Sequence, residues 1–266
     1  MARLAFDGYL DHLRGESARF REVLAGCTPD ARVPGCPDWT AADLLWHLTA
    51  GQHFWTCVVR DRPAAPAEDQ VGPERPSSYD ALLAAFDEHS AAFIGALEAA
   101  DPAEPAWSWS DEQTVGFTFR RQAHEALIHR LDAEQTAGDM TPLDPELAAD
   151  GVDEALAVMF GGTPPWGEFT PLPQHLRVDL TDRDESVWVQ IGHFTGTDPE
   201  SGRSHESIED IAVVSDPGEE PDVVVDGPAG AVDAWLWRRG DDAEIRVAGD
   251  REVYAHFRRA VDQPIT

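Results

Sequence analysis

The first half of this chain repeats one pattern: four stretches of about twenty residues in which apolar side chains recur at helical spacing. They run from Leu4 to about Leu24, from Thr40 to about Arg60, from about Tyr79 to Ala100, and from about Val115 to Ala137, where Gly138 supplies a stop. Helices of that length, joined through one long polar crossover over residues 61–78, bury their apolar stripes most simply against one another in a bundle. Thr40 followed three residues later by Asp43 is an acidic form of the capping box and marks where the second helix opens. The segment VPGCPDW ahead of it reads as a Pro/Gly-rich loop.

After Asp144 the period changes. One further helix, PELAADGVDEALAVMF, ends at Gly161-Gly162, and TPPWGEFTPLP reads as a linker. Strand candidates follow at 175–182, 186–192, 208–216 and 222–227. A helix in GPAGAVDAWLWRRG, a last strand in EIRVAGD and a closing helix in REVYAHFRRAVD complete the series. The expected fold is a two-domain chain: a four-helix bundle over 1–144, then a smaller α+β domain with a mainly antiparallel sheet over 145–266.

Charge narrows the function. Fifty Asp and Glu stand against twenty basic residues, a net charge of −30, and every basic residue is Arg. Such acidity opposes phosphate backbones and anionic lipid surfaces, so neither nucleic acid nor membrane is expected as a partner. Without Lys there is no Schiff base and no P-loop lysine. Cys27, Cys36 and Cys57 match no metal or redox spacing. The amphipathic N-terminus lacks the apolar stretch of a signal peptide, and a cytoplasmic location is expected.

Ten His residues invite a search for metal ligands. In HEALIH, His124 and His129 are five apart, which is not the i, i+4 spacing of a zincin. Glu125 and His129 do share that spacing and stack one turn apart at the edge of the apolar stripe. On the second helix His47 shares a face with Leu44, Leu48, Gly51, Phe54, Trp55 and Val58, whereas His53 falls on the opposite face with Trp46. Two imidazoles and one carboxylate make a three-ligand set with coordination positions left open. Spacing alone equally suits a core histidine and an ordinary Glu–His pair on a helix surface.

The string VPGCPDWTAADLLWHLTAG, followed some seventy residues later by FRRQAHEALIHRLDAE, resembles the N-terminal domain of the mycothiol-dependent maleylpyruvate isomerase family, a DinB-like metal-binding bundle. The shared pattern is Pro37, Trp39, Thr40 and His47, then Glu125, His129, Arg130 and Asp132. GPAGAVDAWLWRRGDDAEIRVAGD resembles the family's C-terminal, sterol-carrier-like domain, with Arg238 where the family usually has Gly in Leu-Trp-Gly-Arg.

The resemblance implies His47, Glu125 and His129 as ligands of a divalent metal, most simply zinc, and mycothiol as the thiol cofactor. It implies cis–trans isomerisation of an unsaturated diacid through reversible thiolate addition. Arg239 would then be catalytic, gripping a substrate carboxylate. Asp132 is expected either to accept from a ligand imidazole or to lie on a solvated helix face, and His124 and Arg121 to line the thiol pocket or to pack in the core. A thiol S-transferase would use the same ligands, and a non-catalytic metal-binding module is the third alternative. The oligomeric state leaves no trace in the sequence.

Overall fold

In a computed structural model, residues 3–67 and 72–262 are described. The centre of the expected polar crossover, residues 68–71, lies outside them, as do the two chain ends. The chain divides into two compact units, one of Leu4–Leu143 and one that begins at Asp144. The fold class is the one expected: a helical N-terminal unit, then an α+β unit.

The N-terminal unit contains α1 (Phe6–Ala25), a hairpin of β1 (Arg32–Val33) and β2 (Cys36–Thr40), α2 (Ala41–Asp61), α3 (Tyr79–Glu98) and α4 (Val115–Ala137). The expected loop VPGCPDW is therefore largely a strand pair. A two-residue strand opposite one carrying Pro37 is too short for period-2 alternation to register. At the start of α2, the Thr40 hydroxyl accepts from the Asp43 amide at 3.3 Å while the Asp43 carboxylate accepts from the Thr40 amide at 3.0 Å. That closes the box read from the sequence and fixes the first turn of the helix.

Phe20, Leu24, Val33, Leu44, Leu45, Leu48, Leu82 and Phe86 bury one continuous core between α1, α2, α3 and the hairpin. Helix α4 is different. It carries Arg120, Arg121, His124, His129, Arg130, Asp132 and Glu134, yet from Val115 to Glu134 every residue is buried except Glu125. Charged residues are seldom buried unless paired. Glu134 accepts from Arg19 Nε at 2.7 Å, Arg130 Nη1 at 2.9 Å and the Thr141 amide at 2.8 Å. This network ties the chain beyond Gly138, whose φ of 71° ends the helix, back onto α1 and α4.

The C-terminal unit begins with α5 (Pro145–Glu154), which passes into a π-helical stretch at Ala155–Phe160. Its strands are β3 (Gly167–Leu180), β4 (Glu185–Thr197), β5 (Ser204–Val214), β6 (Val223–Gly227) and β7 (Arg246–Gly249), with α6 (Ala229–Leu236) and α7 (Arg251–Val261). The sheet order is β5-β4-β3-β6-β7, antiparallel throughout except for β3 with β6.

The expected linker is in part the first half of β3. Pro171 and Pro173 conceal it, but they fall where β3 pairs with β4 alone, since pairing with β6 starts only at Leu176. The β3–β4 register also shifts between Pro171 and His175, so a missing amide donor is tolerated there. Among the described residues, no helix is long and apolar enough to cross a membrane.

Candidate metal centre

Two helices build the site. On α4, Glu125 and His129 stand one turn apart, and the His129 Nε2 atom lies 3.1 Å from Glu125 Oε1. From α2, His47 Nε2 approaches the same oxygen at 3.2 Å. The three donor atoms lie within 4.8 Å of one another. Neighbouring ligands of a tetrahedral ion bonded at ~2.0–2.1 Å sit about 3.3–3.4 Å apart, close to the two separations between Glu125 and the imidazoles, so the three residues could hold one ion.

The rest of the arrangement orients those donors. Arg121, one turn before Glu125 and itself buried, donates from Nη2 to Glu125 Oε2 at 2.6 Å, leaving Oε1 to face the imidazoles. The His129 Nδ1–H donates to Asp132 Oδ2 at 3.0 Å, and the Asp132 side chain is fully buried. That bond commits Nδ1 to the proton and turns Nε2 toward the site, the second-sphere device by which proteins aim ligand histidines.

The indole of Trp39, at the end of β2, packs against His47 with ring centres 4.7 Å apart and against His129 at 6.2 Å. Exposure rises across the set: 7% for the His129 side chain, 23% for Glu125 and 37% for His47. The open side of the site is therefore at His47.

Electrostatics follow from this packing. Burial works against the Glu125 carboxylate, but the charge of His129 and the hydrogen bonds from both imidazoles outweigh it and hold its pKa well below the ordinary value. Burial likewise opposes a charged His129. Attraction to Glu125 and the bond to Asp132 prevail, raising its pKa to about 9. Without a cation, His129 therefore carries both ring protons at neutral pH, one toward each carboxylate.

The structure does not gather every candidate residue here. The His124 ring is buried on the α1 side of α4, edge-on to Tyr9 at 6.2 Å. His53 faces α3, with its ring centre 4.8 Å from that of His89, and is half-buried. In the C-terminal unit, Arg239 is half-buried and donates from Nη1 to the Trp237 carbonyl at 2.7 Å. Its neighbour Arg238, which stands where the resemblance expects Gly, takes φ 61°, the left-handed conformation that glycine favours. The sequence marks Trp39 only as part of the shared pattern, one residue before the Thr40 cap, with no sign of its packing on the imidazoles.

The description "Mycothiol maleylpyruvate isomerase N-terminal domain" matches residues 10–134, and "MDMPI C-terminal domain" matches 146–256. The chain belongs to the mycothiol maleylpyruvate isomerase family. Two solved structures share its fold. One is a mycothiol-dependent maleylpyruvate isomerase, 15% identical with a TM-score of 0.55. The other is a histidine-to-alanine mutant described by the same name, 14% identical with a TM-score of 0.56. Each comparison covers 92% of this chain and 93% of the other. No curated protein matches significantly.

Proposed function

We propose that the protein is a metal- and mycothiol-dependent isomerase of a small cis-unsaturated diacid, with His47, Glu125 and His129 holding a divalent cation. The observation that carries this reading is the convergence of those three donors to within 4.8 Å, with an open side at His47. Two imidazoles and a carboxylate form a borderline-soft set that suits zinc, and three protein ligands leave room for a sulfur ligand.

When bound, the cation supplies the positive charge that lowers a thiol's pKa from about 8.5 toward neutrality. The thiol supplies a nucleophile that adds reversibly to a conjugated double bond, permitting rotation, and is regenerated on elimination. The chain's own residues do the rest. Glu125 stays ionised and presents one oxygen because Arg121 engages the other. Asp132 keeps His129 in the tautomer that frees Nε2. Trp39 packs on both imidazoles and restricts their rotation.

For Arg239, the proposed role of holding a substrate carboxylate is supported by the motif resemblance; Arg239→Lys, which keeps charge but not the two-pronged grip, should then raise KM for a diacid.

The test is metal content and mycothiol-dependent turnover of wild type against His47→Ala. Wild type should hold one ion per chain and convert the cis to the trans diacid only with mycothiol present, and His47→Ala should lose both. Accumulation of a stable thioether would assign an S-transferase instead. Well under one ion per chain in the wild type would reduce the site to a non-metal core cluster.

A further inference from the structure

Helix α2 carries a second group of metal-binding side chains, on the face it turns toward α3. His53 and Cys57 stand one turn apart there, and Cys57 Sγ lies 3.7 Å from His53 Nε2. A nitrogen and a sulfur bonded to one tetrahedral ion at ~2.0–2.1 Å and ~2.3 Å sit about 3.5–3.6 Å apart, so this pair already stands near ligand spacing. Opposite it on α3 is His89, whose ring centre is 4.8 Å from that of His53, with the ring planes at 81°. His47 and His129 offer a comparison within the same unit: their ring centres are 4.7 Å apart and their planes at 71°. The two imidazole pairs have nearly the same disposition, one between α2 and α4 and the other between α2 and α3.

The surroundings suit a bound cation. Cys57 is buried, and both imidazoles beside it are half-buried. Burial, and then the neighbouring His53, lower the pKa of His89, so its ring is neutral at pH 7 and has a lone pair to offer. Arg60 reaches the same sulfur from the next turn, with its charge offset by bonds to Asp61 at 2.6 and 2.7 Å. As the side chains stand, only the His47–Glu125–His129 group among the described residues has all its donors within 4.8 Å of one another. His53 and Cys57 already meet that spacing, so the side chain that has to move is His89. A turn of its ring about the Cβ–Cγ bond, a torsion with broad wells, redirects its nitrogens while leaving the ring in place beside His53.

We propose that His53, Cys57 and His89 form a second site, for one borderline-soft divalent cation of the zinc or cobalt class, which fastens α3 to α2. One thiolate with two imidazoles selects such ions over magnesium and calcium, which take oxygen ligands. Binding sends the Cys57 thiol proton to solvent and requires the His89 ring to turn. Both costs make this the weaker site, filled only when metal exceeds one ion per chain. The proposal stands apart from the thiol-dependent reading, since it needs neither mycothiol nor any of the three donors on the other face of α2.

The experiment titrates reduced, full-length protein, already carrying one zinc per chain, with cobalt(II). Cobalt bound through a thiolate shows a sulfur-to-metal charge-transfer band in the near ultraviolet. A site of imidazoles and a carboxylate has no such band, so exchange of zinc at the first cluster leaves the readout silent. In wild type the band should saturate at one cobalt per chain. It should persist in His47→Ala, Cys27→Ser and Cys36→Ser and vanish in Cys57→Ser. His53→Gln and His89→Gln should each weaken cobalt binding at least tenfold, with unchanged helical circular dichroism. His89→Gln, at a half-buried position, carries the test even where Cys57→Ser fails to fold. Absence of the band in wild type, or its survival in Cys57→Ser, would overturn the proposal. Wild-type affinity in His89→Gln would reduce the site to one pair on α2 and overturn it as well. Loss of the band in His47→Ala would tie it to the first cluster, with the same consequence.

Discussion

Metal binding at this site should expel a proton, and the structure says how the affinity then depends on pH. Without a cation, His129 sits between Glu125 Oε1 and Asp132 Oδ2 and holds its proton up to about pH 9. Coordination needs the Nε2 lone pair, so that proton must leave. At pH 7, roughly two pH units below its release point, expulsion costs about 2.7 kcal/mol, or about a hundredfold in apparent affinity.

Apparent zinc affinity should therefore rise about tenfold per pH unit from 6.5 to 8.5 and level off near 9. The metal-free fold should respond in the opposite direction. A histidine whose pKa rises on folding contributes stability that is complete below the unfolded value of about 6.5 and is lost as pH climbs through 9, here up to about 3 kcal/mol. Calorimetric zinc titrations in buffers of differing ionisation enthalpy count the protons. Near one proton per zinc is expected at pH 7, and fewer in Asp132→Asn, which lacks the carboxylate that helps hold the proton. Zero protons released at pH 7, or an affinity flat from 6.5 to 8.5, would refute the reasoning.

Three substitutions test the supporting structure. Asp132→Ala removes the acceptor of the His129 Nδ1–H and should weaken zinc binding about 10–100-fold by competition with a chromophoric chelator, while leaving the helical circular dichroism unchanged. Glu134→Ala removes one of the two carboxylates paired with buried Arg130, leaving Glu16, and should cost about 1–3 kcal/mol in urea unfolding; no measurable loss would contradict the network described. Arg238→Gly relieves a left-handed residue and should stabilise the protein by about 0.5–1 kcal/mol, read as a rise in melting temperature.

Much of the donor cluster was legible because helical spacing reports faces. The i, i+4 pair Glu125 and His129, and the stripe that sets His47 apart from His53, both follow from the 3.6-residue period. The Thr40–Asp43 cap was legible for the same local reason. What escaped was set by pairing over distance. The β1–β2 hairpin is too short to alternate, so Trp39 gave no sign of resting on the imidazoles. The first half of β3 hides behind two prolines, tolerated because pairing with β6 starts later. His124 shares the apolar stripe of α4, but that stripe is wide enough to face α1 as well as α2, and residue spacing does not say which neighbour it meets.

Two of the three donors, Glu125 and His129, belong to a single helical turn and stay together for as long as α4 stays wound. The third, His47, arrives from 78 residues away. An ion held by all three is thus a clasp between α2 and α4. Ion present at a thousand times its dissociation constant would hold that clasp shut with about 4 kcal/mol. Chelation should unfasten the pair at the His47 end first, letting the helices part while each keeps its own coil.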